Sequence, residues 1–195
     1  MTSELGVRER KKQAARTALT EAALRLFQAN GFDATTVNDI ARLANMSPRT
    51  FFRYFDTKED VVFQDAPQQL EALRKFLADR PSSESNAVAL RAALTAFAEV
   101  LEGEREELHL RAQLARSSRT LAERAAIELQ NWRLALTDEL MQRPDDRDYT
   151  KCHLLAGFGV HVLTVAITLR SDDDRALPEL TQHCWQELTE VVRSP

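Results

Sequence analysis

Between Thr36 and Lys58 the chain concentrates cations, hydroxyls and aromatic rings at helical spacing. Arg49 and Arg53 lie four apart, one helical turn, and guanidinium groups so placed can fork onto the acceptors of a guanine edge or onto phosphate oxygens. Thr50 and Tyr54 repeat that spacing with hydroxyls. Placing Phe51 at zero and stepping about 100° per residue puts Phe55 near ~40° and the two arginines near ~160° and ~200°. The phenylalanine pair is thus an anchor, and the arginine pair faces outward. This is chemistry for gripping duplex DNA. A Gly-rich phosphate loop, a serine nucleophile elbow and a paired-carboxylate context are all missing from the sequence, so an enzyme is a poor second class.

The elements that position these groups are short and well punctuated. Thr36 with Asp39 opens one helix, whose apolar Val37, Ile40, Ala41 and Ala44 fall at offsets of zero, three, four and seven. Ser47 caps the next, with Pro48 at its first position. Asn45 and Met46 make the turn between them, and Asn tolerates the left-handed backbone that such a turn needs. Upstream, residues 1 to about 7 read as disordered; Arg8 to Lys12 lead into a helix with Ala15, Leu19, Ala22, Ala23, Leu26 and Phe27 on one face, ending at Asn30-Gly31. The basic run to Arg16 fits either a minor-groove arm or a solvated terminus. Downstream, Thr57 with Asp60 opens a fourth helix running toward Asp79, which Pro67 must kink or split. Further helices are predicted near 87–102, 104–117, 119–142, 148–170 and 178–192, with breaks at Pro81–Asn86, Gly103, Ser117-Ser118, Arg143–Asp146 and Ser171–Asp174. The total is an all-α chain of about nine helices. The expected domains are a three-helix, helix-turn-helix DNA-binding domain over 1–56 and a larger helical domain for effector binding and dimerisation over 57–195.

Charge supports the same division. The net charge of −4 conceals a basic end: through Phe55 there are 9 Lys+Arg against 5 Asp+Glu, and the remaining chain is acidic. Phosphate would meet the first part and be repelled by the second. Two cysteines give no disulfide framework and suit a reducing cytoplasm. The polar, basic N-terminus lacks the apolar core of a signal peptide, and Leu154–Leu169, interrupted by His161, is short for a membrane span. The expectation is a cytoplasmic protein with no membrane partner.

These residues resemble the TetR/AcrR family of bacterial regulators, whose N-terminal pattern runs Thr-Val, Ile-Ala, a Gly-Val-Ser turn, then Thr, Tyr, Tyr-Phe and Lys-Glu. The chain matches at Thr36-Val37, Ile40-Ala41, Ala44, Ser47, Thr50, Tyr54-Phe55 and Lys58-Glu59, and departs at Asn45, where the family usually has Gly, and at Phe52, where a Tyr hydroxyl often bonds phosphate. The C-terminal part is weakly similar to regulators of the mycofactocin type. The resemblance implies a ligand-responsive transcriptional repressor that binds a palindromic operator as a homodimer and is released by a small lipophilic effector, acyl-CoA thioesters among the candidates. On this basis Arg49 and Arg53 read bases, Thr50 reaches a base or phosphate, Thr36, Arg42, Tyr54 and Lys58 grip the backbone, and Ser47 and Pro48 set the helix start. The Phe52 ring is left to pack on sugar or a thymine methyl. A two-fold dimer would present its reading helices ~34 Å apart.

In the body, Leu154, Leu155, Phe158, Val162, Val165 and Leu169 form one stripe and Leu180, Cys184, Leu188 and Val191 another. Spacing alone leaves internal core and subunit interface equally open; the resemblance points to a four-helix dimer interface. Phe97, Leu101, His109, Leu114, Trp132, Phe158 and His161 combine bulk with a few polar tips, as an effector pocket would, although plain core explains each of them too. Cys152-His153 and His183-Cys184 lack zinc-finger spacing, and no metal, cofactor or catalytic residue is assigned. The remaining alternative is a helical adaptor with a vestigial reader, against which the intact Arg49, Thr50, Tyr54 and Lys58 argue.

Overall fold

The computed structural model describes the backbone of residues 2–170 and 173–193, and the side chains of these from residue 10 onward except residue 105. Among the described residues there are ten helical segments and no strand; counting the split fourth helix as one gives the nine expected. The chain forms two compact units, Met1–Gln64 with Leu114–Ala122, and Asp65–Gln113 with Glu123–Pro195.

In the first unit α1 (Thr2–Asn30) packs on α2 (Val37–Leu43) and α4 (Glu59–Val62), with α3 (Pro48–Phe52) held against α2. The helix is bounded at Thr2, and the disorder expected for residues 1 to about 7 falls on residues whose side chains lie outside those described. Residue 1 itself lies outside the described residues. Leu19, Ala22, Ala23 and Phe27 are buried on the predicted face, together with Leu24, while Leu26 is only half-buried. The helix stops where predicted, because Gly31 takes the left-handed φ of 83° and its N–H closes on the Phe27 carbonyl at 3.0 Å. Phe32, Ile40, Phe51, Phe55, Val61 and Val62 complete this core. Leu114 and Leu121 are also buried here, and the Ser118 hydroxyl donates to the Asp33 carboxylate at 3.0 Å.

The predicted fourth helix is split rather than kinked. It ends after Val62, and α5 (Ala66–Ala78) restarts with Pro67 in its first turn, where the missing N–H has no helical partner to lose. The boundary between the units falls in this break, at Gln64/Asp65.

The second unit is built around α6 (Asn86–Glu102), packed on α5, α9 (Tyr149–Leu169) and α10 (Leu177–Arg193), with α7 (Arg105–Ser117) and α8 (Arg119–Gln142) each divided between the units. Leu73, Leu77, Leu90, Leu94, Phe97, Leu136 and Leu140 fill its core. Gly159 lets α9 approach α6, since a Cβ there would stand 2.9 Å from Leu90 Cδ2. The buried Arg143 donates to the carbonyls of Arg80, Pro81 and Glu84 at 3.3, 2.7 and 3.1 Å, fixing the linker predicted at 81–86. By length and composition α9 could cross a membrane, yet Cys152, Ala156, Val160, Leu163 and Ala166 are closed into the core. Of the break predicted at 171–174, Ser171 and Asp172 lie outside the described residues. Asp173 and Asp174 are non-helical, and the Arg175 guanidinium bonded to Asp173 holds that carboxyl down at about 2.

Candidate nucleic-acid interface

Each end of the two reading helices is fixed by a bond its own residues supply. Thr36 Oγ1 accepts the Asp39 N–H at 3.2 Å while the Asp39 carboxylate accepts from Thr36 N at 3.2 Å and from its hydroxyl at 2.5 Å. The Thr36 hydroxyl and then its N–H hold the Asp39 carboxyl below the ordinary carboxylate range. Asn45 adopts φ 57°, and the Met46 N–H reaches back to the Ala41 carbonyl at 2.8 Å, which closes α2. Ser47 Oγ accepts the Thr50 N–H at 3.1 Å to start α3, with Pro48 in its first turn.

That capped turn aims α3. Phe51 is fully buried and Phe55 nearly so, their ring centroids 5.4 Å apart, and the Arg16 guanidinium lies over Phe55 at 5.4 Å. Arg49, Phe52 and Arg53 are exposed and Thr50 half-exposed. Arg53 folds onto its neighbour, with its guanidinium 4.9 Å over the Tyr54 ring and Nη2 donating to Tyr54 Oη at 2.9 Å. Arg42 is exposed at the end of α2, where it donates to Asp39 at 2.7 Å. Lys58, expected on phosphate, has internal partners instead: Nζ donates to the Phe32 and Thr35 carbonyls at 2.7 and 2.9 Å and sits 4.2 Å over the Phe32 ring. Gln64 is a second brace, because Oε1 accepts from Arg16 Nε at 3.1 Å and from the Thr20 hydroxyl at 3.3 Å. No short-range signal marked Gln64, whose partners are more than forty residues away.

The expected effector set does not assemble. Phe97 and Leu101 are buried, and Trp132 meets Phe97 edge-on at 5.8 Å. His109, Phe158 and His161 are exposed, and Leu114 belongs to the first unit. The helical period that grouped them ignores which side of α9 the core takes: Cys152, Ala156, Gly159, Val160 and Leu163 take it, which turns Phe158 and His161 outward. The interface set is corrected in the same way. Val162, Leu180 and Cys184 are core and offer no surface to a partner. Leu154 and Phe158 remain 55% and 40% exposed, with Leu155, Val165 and Leu188 half-buried. A shallow cleft of about 440 Å³ between α6 and α10 has polar walls, Arg91, Thr95, Glu99, Gln182 and Gln186, unlike the apolar site expected.

Residues 19–64 match the model of the bacterial regulatory proteins, tetR family. The chain is 39% identical over 102 residues to the HTH-type transcriptional regulator TcmR of Streptomyces glaucescens, covering 52% of this chain and 45% of that protein. It is also 39% identical over 79 residues to a candidate mycofactocin biosynthesis regulator, MftR, of Mycobacterium tuberculosis, 40% of each chain. The matched stretches thus span less than half the length of either relative. In fold the chain is similar to the transcriptional regulator FadR of Bacillus subtilis in complex with stearoyl-CoA. That likeness has a TM-score of 0.58 at 18% identity and covers 87% of this chain and 95% of that one.

Proposed function

The chain belongs to the TetR family of bacterial regulatory proteins, and from that premise we propose that it is a ligand-responsive repressor. In this reading it binds a palindromic operator as a homodimer and leaves it when a small lipophilic effector binds. The observation that carries the DNA-binding part is the aim of α3: Phe51 and Phe55 are sealed inside while Arg49, Phe52 and Arg53 stand outward between two capped ends. Arg49 on the first turn reads a base, Thr50 and Tyr54 reach the backbone, and Arg42 and Thr36 add grip at the α2 side.

The dimer half of the proposal rests on the outer side of α9, where Leu154 and Phe158 stay exposed beside half-buried Leu155 and Val165. The effector half rests on Trp132 of α8 meeting Phe97 of α6 edge-on, and on the stearoyl-CoA held by a FadR of similar fold. Selection of bound duplexes from random DNA by the full chain tests the proposal. One sequence should be enriched. Arg49→Ala should then lose about 1–3 kcal/mol on it while holding random DNA nearly as before. Equal loss on both would end the base-reading role of Arg49, and failure to enrich any sequence would end the proposal.

A further inference from the structure

Phe52 is the most exposed of the reader's phenylalanines, Phe63 being half-buried. Phe27, Phe32, Phe51 and Phe55 are at most 3% exposed, whereas Phe52 is 54% exposed. Its ring does not hang loose: Phe51, fully buried, meets it edge-on with centroids 5.6 Å apart and planes at 87°. Stepping about 100° per residue from Arg49 places Phe52 some ~60° to one side of it and Arg53 ~40° to the other. The outward arc of α3 is therefore two guanidinium groups and one bare ring. Arg53 is drawn onto Tyr54, on the side away from Phe52.

A benzyl side chain can neither donate to phosphate nor pair with a base edge. In a major groove its favourable partner is the one apolar group the base pairs present there, the 5-methyl of thymine. We infer that Phe52 reads a thymine 5-methyl beside the base contacted by Arg49, and so sets specificity at a position where no hydrogen bond is made. The inference rests on the DNA-reading role of α3 proposed above. It differs from a sugar contact in one respect: it requires the methyl.

The test uses the duplex recovered from random DNA by the full chain, with each thymine replaced in turn by deoxyuridine, which removes the methyl and leaves pairing intact. In the wild type, uracil at one thymine per half-site should weaken binding about four-fold, the value of burying a single methyl-sized group. In Phe52→Ala the same replacement should have no effect, and Phe52→Leu should restore part of it. Because Phe52 is exposed, these variants should melt with the wild type. Uracil without effect at every position, or an undiminished methyl effect in Phe52→Ala, would overturn the inference while leaving the DNA-binding proposal standing. A library from which nothing is enriched would remove both.

Discussion

The two units hold their shape by different means. In the reader, each of the turns about α2 and α3 is closed by partners within five residues: Thr36 with Asp39, Met46 with Ala41, Ser47 with Thr50. In the body, the helices are arranged by apolar residues brought from distant stretches of chain, such as Leu77, Leu94, Leu140 and Leu163. Local hydrogen bonding specifies an angle between two short helices and therefore the aim of a few side chains. Apolar packing specifies burial, and a long amphipathic helix can satisfy it in more than one rotation. A surface that reads DNA needs the first kind of precision, and the roles proposed for the body, effector binding and dimerisation, can work with the second.

The sharpest way to break this comparison is on α9, where two predicted interface residues four apart lie in opposite environments. Val162→Glu places a carboxylate in the core of the second unit, where Val162 is 2% exposed, and should cost about 3–5 kcal/mol and unfold that unit in a thermal melt. Phe158→Glu, on the exposed side, should melt within a few degrees of the wild type and sediment as a monomer. A folded Val162→Glu protein would show that the core assignment of this helix is wrong.

Lys58 distinguishes a strut from a phosphate grip. Replacing it with Met removes two hydrogen bonds to carbonyls and the stacking on Phe32, and should lower reader stability by about 1–3 kcal/mol. If the ammonium instead leaves these carbonyls to bind phosphate, the variant would melt like the wild type and the salt dependence of DNA binding would fall by about one counterion per site. Asn45 should show a smaller effect. At φ 57° an Ala costs about 1 kcal/mol or more, and Gly is neutral to slightly stabilising. Melting curves of Asn45→Ala and Asn45→Gly moving in the same direction would mean that backbone conformation does not decide this turn.

What could be foreseen follows the same division. The caps, the turn and the outward arginines were legible because each depends on residues at most five apart, and helix ends at Glu102, Ser117 and Gln142 stand where Gly103, Ser117-Ser118 and Arg143-Pro144 predicted them. Period alone did not reveal which flank of α9 turns inward, because the answer lies in Leu90 and Leu94 of α6, which need the space left by Gly159. The internal partners of Lys58 were hidden for a related reason: the carbonyls of Phe32 and Thr35 come within reach only after the chain has folded back through α2 and α3. A lysine that follows a reading helix looks the same in sequence whether it faces phosphate or its own loop.

The smallest effect tests the local bonds themselves, through pH. In the folded chain Asp39 titrates below its ordinary value of 3.8, chiefly because the Thr36 hydroxyl and N–H donate to its charged form. A carboxyl so depressed adds stability that is fully present above the unfolded value and disappears as pH falls through the folded one. Between about pH 5 and pH 3, then, the wild type should lose more of its melting temperature than Asp39→Asn, whose side chain does not titrate. Because the pair is exposed, added salt should leave most of the difference in place if hydrogen bonding to Thr36 causes it, and should abolish it if attraction to Arg42 does. Parallel acid melting curves for the two proteins would show that this capping bond, which sets the entry of α2, contributes nothing that protonation can remove.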